Sequence, residues 1–243
     1  MHIHQSTLLL FSLQALTATA TQLQYASLGS SYAAGPGLPT NYPHLIATAL
    51  SANLTDLAIS GSLLKDISSQ IARIPSNANI VTLTSGGNDL SYVAGLMAHV
   101  APAQTVTASE LTKRFTTALE AIHAIAPKAT VYLVEYLTML SPSFTKPVVD
   151  VPFNSTEIAK FEAVFSTLKE VTGASVKGRE GWVVVVPVSE KSVGHALGSK
   201  ETLWVNGASV PSGAGGIPWH PNTVGTQFVA DLAVASIKAR IAG

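Results

Sequence analysis

The sequence predicts an α/β fold built on a parallel β-sheet of five strands. Short apolar runs bounded by Gly, Pro, Asn or Ser alternate along the chain with longer segments in which apolar residues recur at helical spacing. That alternation is typical of strands joined by crossover helices. The 243 residues fall within the range of one domain, and no charged run or Pro/Ser-rich tract divides them. We therefore predict a single domain over residues 21–243.

Five runs have the length and the apolar or β-branched content of strands. They are Gln24–Leu28, Leu54–Ala58, Asn79–Thr84, Thr130–Val134 and Trp182–Val186. Five further segments have helical periodicity, namely Tyr42–Leu50, Leu63–Ile74, Ser109–Ile125, Glu157–Val171 and Val224–Ile241. Ligands of open parallel sheets bind beyond the carboxyl ends of the strands. The residues that follow each strand are therefore the first candidates for a functional site.

Charge and cysteine content argue against several classes of function. The formal net charge is +0, and the 14 Lys and Arg residues are scattered, so no basic stripe is available to follow a phosphate backbone. We predict no nucleic-acid partner. Only 12% of the residues are charged, against about 25% in an average soluble domain, a composition that suits an extracellular protein. The chain contains no cysteine, which excludes disulfides and thiolate metal sites.

The N-terminal segment resembles a signal peptide. An apolar run, Leu8–Leu16, is followed by Ala18-Thr19-Ala20, a typical small-residue cleavage site. The run is shorter than the roughly 20 residues of a membrane span, although a buried N-terminal helix is an alternative. We predict a signal peptide over residues 1–20, secretion, and no transmembrane segment. Two N-glycosylation sequons, at Asn53 and Asn154, become relevant if the chain is secreted.

The first chemically distinctive segment follows the first predicted strand and reads Gly29-Ser30-Ser31. A serine after a tight strand-to-helix turn can project its hydroxyl into the crevice, where the helix N-terminus supplies N–H donors. Ser31 is therefore a candidate nucleophile. The alternative is that Ser30 and Ser31 only cap a helix.

Two glycine-containing turns follow the second and third predicted strands. Gly61 lets the backbone approach a ligand closely, so that its N–H can point at a developing oxyanion. The second turn has the sequence Gly86-Gly87-Asn88-Asp89. The side-chain amide of Asn88 can donate to the same oxyanion, and the carboxylate of Asp89 can cap the following helix. Plain turns are the alternative interpretation of both segments.

The last distinctive segment is Pro218-Trp219-His220-Pro221-Asn222, just before the C-terminal predicted helix. It places an imidazole in a loop that the flanking prolines make rigid. His220 is the candidate base. His195, in a Gly-containing loop after the fifth strand, is a weaker rival.

In chain order these blocks are Gly-x-Ser31, Gly61, Gly-x-Asn88-Asp and His220-Pro-Asn, and they resemble the SGNH hydrolase family, also called GDSL esterases and lipases. The resemblance covers essentially the whole mature chain and is closest to the secreted microbial branch. It implies a flavodoxin-like three-layer α/β/α sandwich. It further implies Ser31 as nucleophile, His220 as base, and an oxyanion hole formed by the Ser31 N–H, the Gly61 N–H and the Asn88 side chain. We expect no cofactor and no metal.

The chain departs from the family pattern at two positions. Ser30 stands where the family has Asp before the nucleophile, so we expect a looser orientation of Ser31. Ile217 stands where the family commonly has Asp, three residues before the histidine. We expect a Ser31–His220 dyad in which a backbone carbonyl of the Ile217–Trp219 loop holds Nδ1. The rival is a carboxylate from elsewhere in the chain, with Asp231, Glu190 and Asp150 as candidates.

The resemblance implies hydrolysis of carboxylic esters through an acyl-enzyme, but it leaves the substrate open. The apolar loop Pro142–Asn154, beyond the fourth strand, slightly favours lipid-like or aryl esters, since a loop of this kind can line an acyl pocket. The alternative is a surface loop packed on the core. A carbohydrate O-acetyl esterase of the same fold is an alternative, and so is a catalytically weak pseudoenzyme that acts as a secreted binding protein. The expected partner is a small-molecule or lipid ester, and the expected state is a monomer.

Overall fold

The computed structural model describes residues 22–102, 106–141, 144 and 150–243. The signal peptide predicted for residues 1–20 lies outside the described residues. Five parallel strands form one sheet in the order β2-β1-β3-β4-β5. Their bounds are β1 Gln24–Gly29, β2 Asn53–Asp56, β3 Ile80–Thr84, β4 Thr130–Val134 and β5 Val183–Val186. The predicted parallel sheet is confirmed, with strand ends that differ by at most two residues.

Helices cover the sheet in two layers. They are α1 Ser31–Ala34, α2 Tyr42–Leu50, α3 Ser68–Ile71, α4 Tyr92–Ala98, α5 Ala108–Ile125, α6 Ser155–Ala174, α7 Val188–Lys191 and α8 Thr223–Ala242. Helix α2 packs against α8, whereas α5 packs against α3 and α6. The result is the α/β/α sandwich that the resemblance implied. Within the described ranges, no helix combines the length and apolar character needed to cross a membrane.

The core lies on both faces of the sheet. Every residue of β3 is buried, as expected for a central strand of a parallel sheet covered by helices. Gly29, the last residue of β1, lies opposite Thr84, the last residue of β3. The carboxyl ends of these two central strands are therefore level, and the segments that follow them meet at one edge of the sheet.

The continuous helix predicted for Leu63–Ile74 is wrong. The structure has a 3₁₀ turn at Leu64–Asp66 and one helical turn at Ser68–Ile71. Tertiary hydrogen bonds determine this path, because the Leu64 N–H donates to Asp89 and the buried Gln70 side chain reaches Gly29. Local periodicity carries no information about either partner.

Candidate active site

The turn after β1 places Ser31 at the start of α1. Gly29 has a φ of 141°, which is unfavourable for a residue with a side chain, and a Cβ there would overlap the carbonyl oxygen of Thr84. The Ser30 N–H donates to the same carbonyl at 3.0 Å. The chain therefore turns sharply over the end of β3, and Ser31 becomes the first residue of the short helix.

Gln70 holds this turn from the neighbouring segment. Its side chain is buried; Oε1 accepts from the Gly29 N–H at 2.8 Å, and Nε2 donates to the Gly29 carbonyl at 3.0 Å. Nε2 also lies 3.2 Å from the hydroxyl of Ser62. Gln70 was not among the residues predicted for the site, because a lone glutamine in an apparent helix carries no sequence signal of a role.

Ser31 and His220 are in direct contact, although 189 positions separate them along the chain. His220 Nε2 lies 2.8 Å from Ser31 Oγ, and both side chains are buried. His220 Nδ1 lies 2.8 Å from the carbonyl oxygen of Pro218. With the proton on Nδ1, the ring donates to Pro218 and Nε2 accepts from the serine hydroxyl, the arrangement that a general base requires.

The three carboxylates considered as alternatives to this carbonyl make contacts elsewhere. Asp231 accepts from Gln227, Glu190 lies beside Lys191, and Asp150 accepts from Ser209. The Nδ1 partner expected for the dyad, a carbonyl in the Ile217–Trp219 loop, is the one present.

The rival histidine lies in a different environment. His195 Nδ1 bonds the carbonyl of Thr202 at 2.8 Å, and its ring stacks on Trp204 with 3.5 Å between centroids. Stacking and a backbone hydrogen bond account for the position of the His195 side chain.

A dense set of hydrogen bonds fixes the turn that holds His220. Trp219 is buried and has a left-handed φ of 59°, a strained value for a bulky residue. Its N–H donates to Gly207, and its carbonyl accepts from the Tyr32 hydroxyl at 2.9 Å. The Asn206 N–H donates to the His220 carbonyl at 2.9 Å. These contacts hold the Pro218 carbonyl and the imidazole in one geometry.

Burial also sets the charge of the imidazole. Desolvation lowers the pKa of His220 below its ordinary value of 6.5, and the hydrogen bond to Pro218 opposes this shift only in part. The ring is therefore neutral near pH 7 and can accept a proton from Ser31.

The elements proposed to form the oxyanion hole are joined to one another. Asn88 Nδ2 donates to the Ser62 carbonyl at 3.0 Å, and Ser62 Oγ donates to the Gly29 carbonyl at 2.9 Å. Gly61, just before Ser62, is exposed with a φ of 81° and open space around its Cα. The structure thus brings the Gly61 turn, Asn88 and the nucleophile turn together. Their role as donors stays a prediction.

Asp89 does not cap the following helix, contrary to the sequence interpretation. Helix α4 begins only at Tyr92, and Ser91, with a left-handed φ of 54°, occupies its N-cap position. The Asp89 carboxylate is instead fully buried, accepts from the Leu64 N–H at 2.9 Å, and pairs with Arg114 at 2.8 Å. It therefore joins the Asn88 turn to the segment after Gly61.

Much of the predicted acyl-pocket loop, Pro142–Asn154, lies outside the described residues. In its described part, Phe153 is buried and its ring lies 5.4 Å from that of Trp219, beside the His220 turn. A separate cavity of about 310 Å³ lies between α6 and the segments that follow β4 and β5, and neither Ser31 nor His220 contributes to its lining. The acyl pocket therefore stays a prediction.

Within the described residues, no group of three or more His, Asp or Glu side chains is arranged to hold a metal ion.

The chain matches a known protein family and resembles several known proteins in sequence and fold. The model of the GDSL-like lipase/acylhydrolase family matches residues 27–228. Lipase 2 of Streptomyces coelicolor is 26% identical over 252 residues, which cover 86% of this chain and 84% of that protein. Among solved structures, the fold is similar to an extracellular lipase from Streptomyces rimosus (TM-score 0.65, 21% identity, 88% of this chain and 98% of that one). It is also similar to a carbohydrate esterase family 2 enzyme from Corynascus thermopiles (TM-score 0.63, 18% identity, 93% of this chain and 69% of that one).

Proposed function

Because this chain belongs to the GDSL-like lipase/acylhydrolase family, we propose that it is a secreted serine esterase that uses Ser31 as nucleophile and His220 as general base. The observation that carries the proposal is the 2.8 Å contact between His220 Nε2 and Ser31 Oγ, with Nδ1 held by a carbonyl. A nucleophile within hydrogen-bond reach of an oriented base is the geometry of nucleophilic acyl transfer.

The reaction proceeds through an acyl-enzyme. His220 Nε2 takes the proton of Ser31 as Oγ attacks the ester carbonyl, and the tetrahedral oxyanion forms. The C–O bond to the alcohol then breaks, and the imidazolium returns its proton to the leaving alcohol. Water attacks the acyl-serine with His220 again as base, which releases the acid and restores Ser31.

Three donors stabilise the oxyanion in this proposal: the backbone N–H groups of Ser31 and Gly61 and the side-chain amide of Asn88. Their effect is large because they are aimed before the reaction begins and need no reorganisation. Supporting this assignment, Ser62 hydrogen-bonds both Gly29 and Asn88, which keeps the donor-bearing segments together.

Secretion is supported by the N-terminal pattern, in which the apolar run Leu8–Leu16 precedes Ala18-Thr19-Ala20. N-terminal sequencing of protein recovered from the culture medium tests it. The expected first residue is Thr21. Recovery of the chain only from cells, with residues 1–20 intact, contradicts this part of the proposal.

The preferred substrates are lipid-like or short acyl and aryl esters. The apolar composition of the segment Pro142–Asn154, which follows the fourth strand, supports this choice. A chromogenic ester panel of increasing acyl length tests it, with Ser31→Ala as the matched control. Hydrolysis by wild type that the control lacks is the expected result, and equal hydrolysis by both proteins defeats the proposal.

A carbohydrate O-acetyl esterase is the second candidate, favoured by the fold likeness to the family 2 carbohydrate esterase. Acetate release from acetylated xylan, compared with hydrolysis of a medium-chain ester at equal enzyme concentration, separates the two.

A catalytically weak binding protein is the third possibility. Rapid labelling of Ser31 by a fluorophosphonate, located by peptide mass analysis, excludes it, because only an activated serine reacts quickly.

A further inference from the structure

Ser30, which replaces the acidic residue expected before the nucleophile, has a tyrosine partner. Ser30 Oγ lies 3.1 Å from the hydroxyl of Tyr136, a residue 106 positions later, just beyond β4. Both residues are buried. A buried hydroxyl pair of this kind orients both groups, although it carries no charge.

The same tyrosine hydroxyl also reaches the turn after β3. The Gly87 N–H donates to it at 3.3 Å. A Cβ at Gly87 would lie 2.9 Å from the Tyr136 ring and hydroxyl, which explains why this position has no side chain. One hydroxyl oxygen therefore joins the residue before the nucleophile Ser31 to the residue before Asn88.

The ring of Tyr136 extends this link towards the base. It packs on the ring of Tyr32 with 4.4 Å between centroids, and the Tyr32 hydroxyl donates to the Trp219 carbonyl in the His220 turn. Burial raises the pKa of Tyr136 to about 12. Its hydroxyl therefore stays protonated over the working pH range of an esterase.

We infer that Tyr136 is a positioning residue that holds the nucleophile turn in this chain, where Ser30 stands in place of the acidic residue. Its hydroxyl sets the relative placement of Ser31 and Asn88 through Ser30 and Gly87. The inference rests on the proposed function. Misplacing a reacting group by about 1 Å can cost roughly 100-fold in rate, so the loss of this link affects turnover more than substrate affinity.

Tyr136→Phe removes only the hydroxyl and keeps the ring that packs on Tyr32 and Gly87. We expect kcat for a short aryl ester to fall about 10-fold, with KM changed less than about twofold, since the reacting groups and not the binding surface are displaced. Tyr25→Phe is the matched control, because Tyr25 is equally buried and its hydroxyl forms a comparable bond with Thr82 at 2.8 Å. The control should lose a similar amount of stability and keep its kcat.

A double-mutant cycle with Ser30→Ala tests whether Tyr136 acts through Ser30. If it does, Ser30→Ala/Tyr136→Phe has a kcat close to that of Tyr136→Phe alone. Losses in kcat that multiply overturn the coupling through Ser30. A Tyr136→Phe variant with wild-type kcat, or one whose loss in kcat the Tyr25→Phe control shares, overturns the positioning role.

These outcomes are separable from a failure of the proposed function. If wild-type hydrolysis survives Ser31→Ala, the assignment of the nucleophile is wrong, whatever Tyr136 does. If hydrolysis depends on Ser31 but is unchanged in Tyr136→Phe, only the present inference fails.

Discussion

His220 Nδ1 and the carbonyl oxygen of Pro218 lie 2.8 Å apart within one turn of the chain. The carbonyl selects the tautomer with the proton on Nδ1, which leaves Nε2 free to accept from Ser31. It carries a dipole and no net charge, so it stabilises an imidazolium less than a carboxylate does. This contact is the one that the proposed Ser31–His220 dyad requires, and it predicts how the chain responds to mutation and to pH.

Replacing the candidate carboxylates one at a time should leave catalysis intact. We expect Asp231→Asn, Glu190→Gln and Asp150→Asn to keep kcat within about threefold of wild type, since a lost tautomer-setting carboxylate would cost nearer 10⁴-fold. Steady-state kinetics with a short aryl ester check this. A loss of about 1,000-fold or more in any one variant would mean that this carboxylate orients the base and that the dyad is the wrong description.

The pH dependence of kcat/KM should have a single acidic limb from His220. Because burial lowers the pKa of His220 below 6.5, kcat/KM should rise with pH through a value below 6.5 and then level off. We expect the same acidic limb in the kcat/KM profile of His195→Asn, because this variant removes only the rival histidine. A midpoint clearly above 6.5, or a limb that disappears in His195→Asn, argues against His220 as the base.

Stability should follow the same titration. The unfolded chain binds a proton at His220 near pH 6.5, whereas the folded chain binds it only at lower pH. This contribution to the free energy of unfolding is therefore fully present above pH 6.5 and is lost as pH falls through the lowered value. Urea unfolding of wild type and His220→Gln between pH 5 and 7 isolates it, because the variant lacks this group. Parallel pH dependences for the two proteins contradict the prediction.

Asn88→Ala should lower kcat by about 100 to 1,000-fold with little change in KM, because an oxyanion donor acts mainly in the transition state. Asn79→Ala is a suitable control, since Asn79 also uses its side chain in a backbone contact, with the Gln24 N–H at the opposite end of the sheet. It should keep its kcat. An effect of Asn88→Ala confined to KM would contradict the assignment of Asn88 as an oxyanion donor.

Arg114→Met should destabilise the protein by about 3 kcal/mol, because it leaves the fully buried Asp89 carboxylate without its cation. Lys191→Met is the control, since the Lys191–Glu190 pair is mostly exposed and should contribute less than about 1 kcal/mol. Chemical denaturation of both variants checks the contrast. Equal changes in the free energy of unfolding for the two variants would show that burial of Asp89 does not increase the contribution of its ion pair to stability.

The sequence alone determined the sheet. Short β-branched runs such as Val183–Val186 favour strands, and the alternation of such runs with helical segments then favours parallel pairing. The sequence also placed four candidate site residues at the ends of segments: Ser31, Gly61, Asn88 and His220. In a sheet of this kind, residues at such positions lie at the edge where ligands bind.

Tertiary structure alone decided how those residues are held. Gln70 and Tyr136 act on segments 41 and 106 positions away, and the Asn206 side chain donates to the Ile217 carbonyl 11 positions away. No local pattern predicts a hydrogen bond over such separations. Packing also decided that Asp89 pairs with Arg114 instead of capping a helix, and that Leu63–Ile74 breaks into two turns. The physical reason is that buried polar groups must find partners wherever the fold places them, whereas sequence periodicity reports only which face of a segment is apolar.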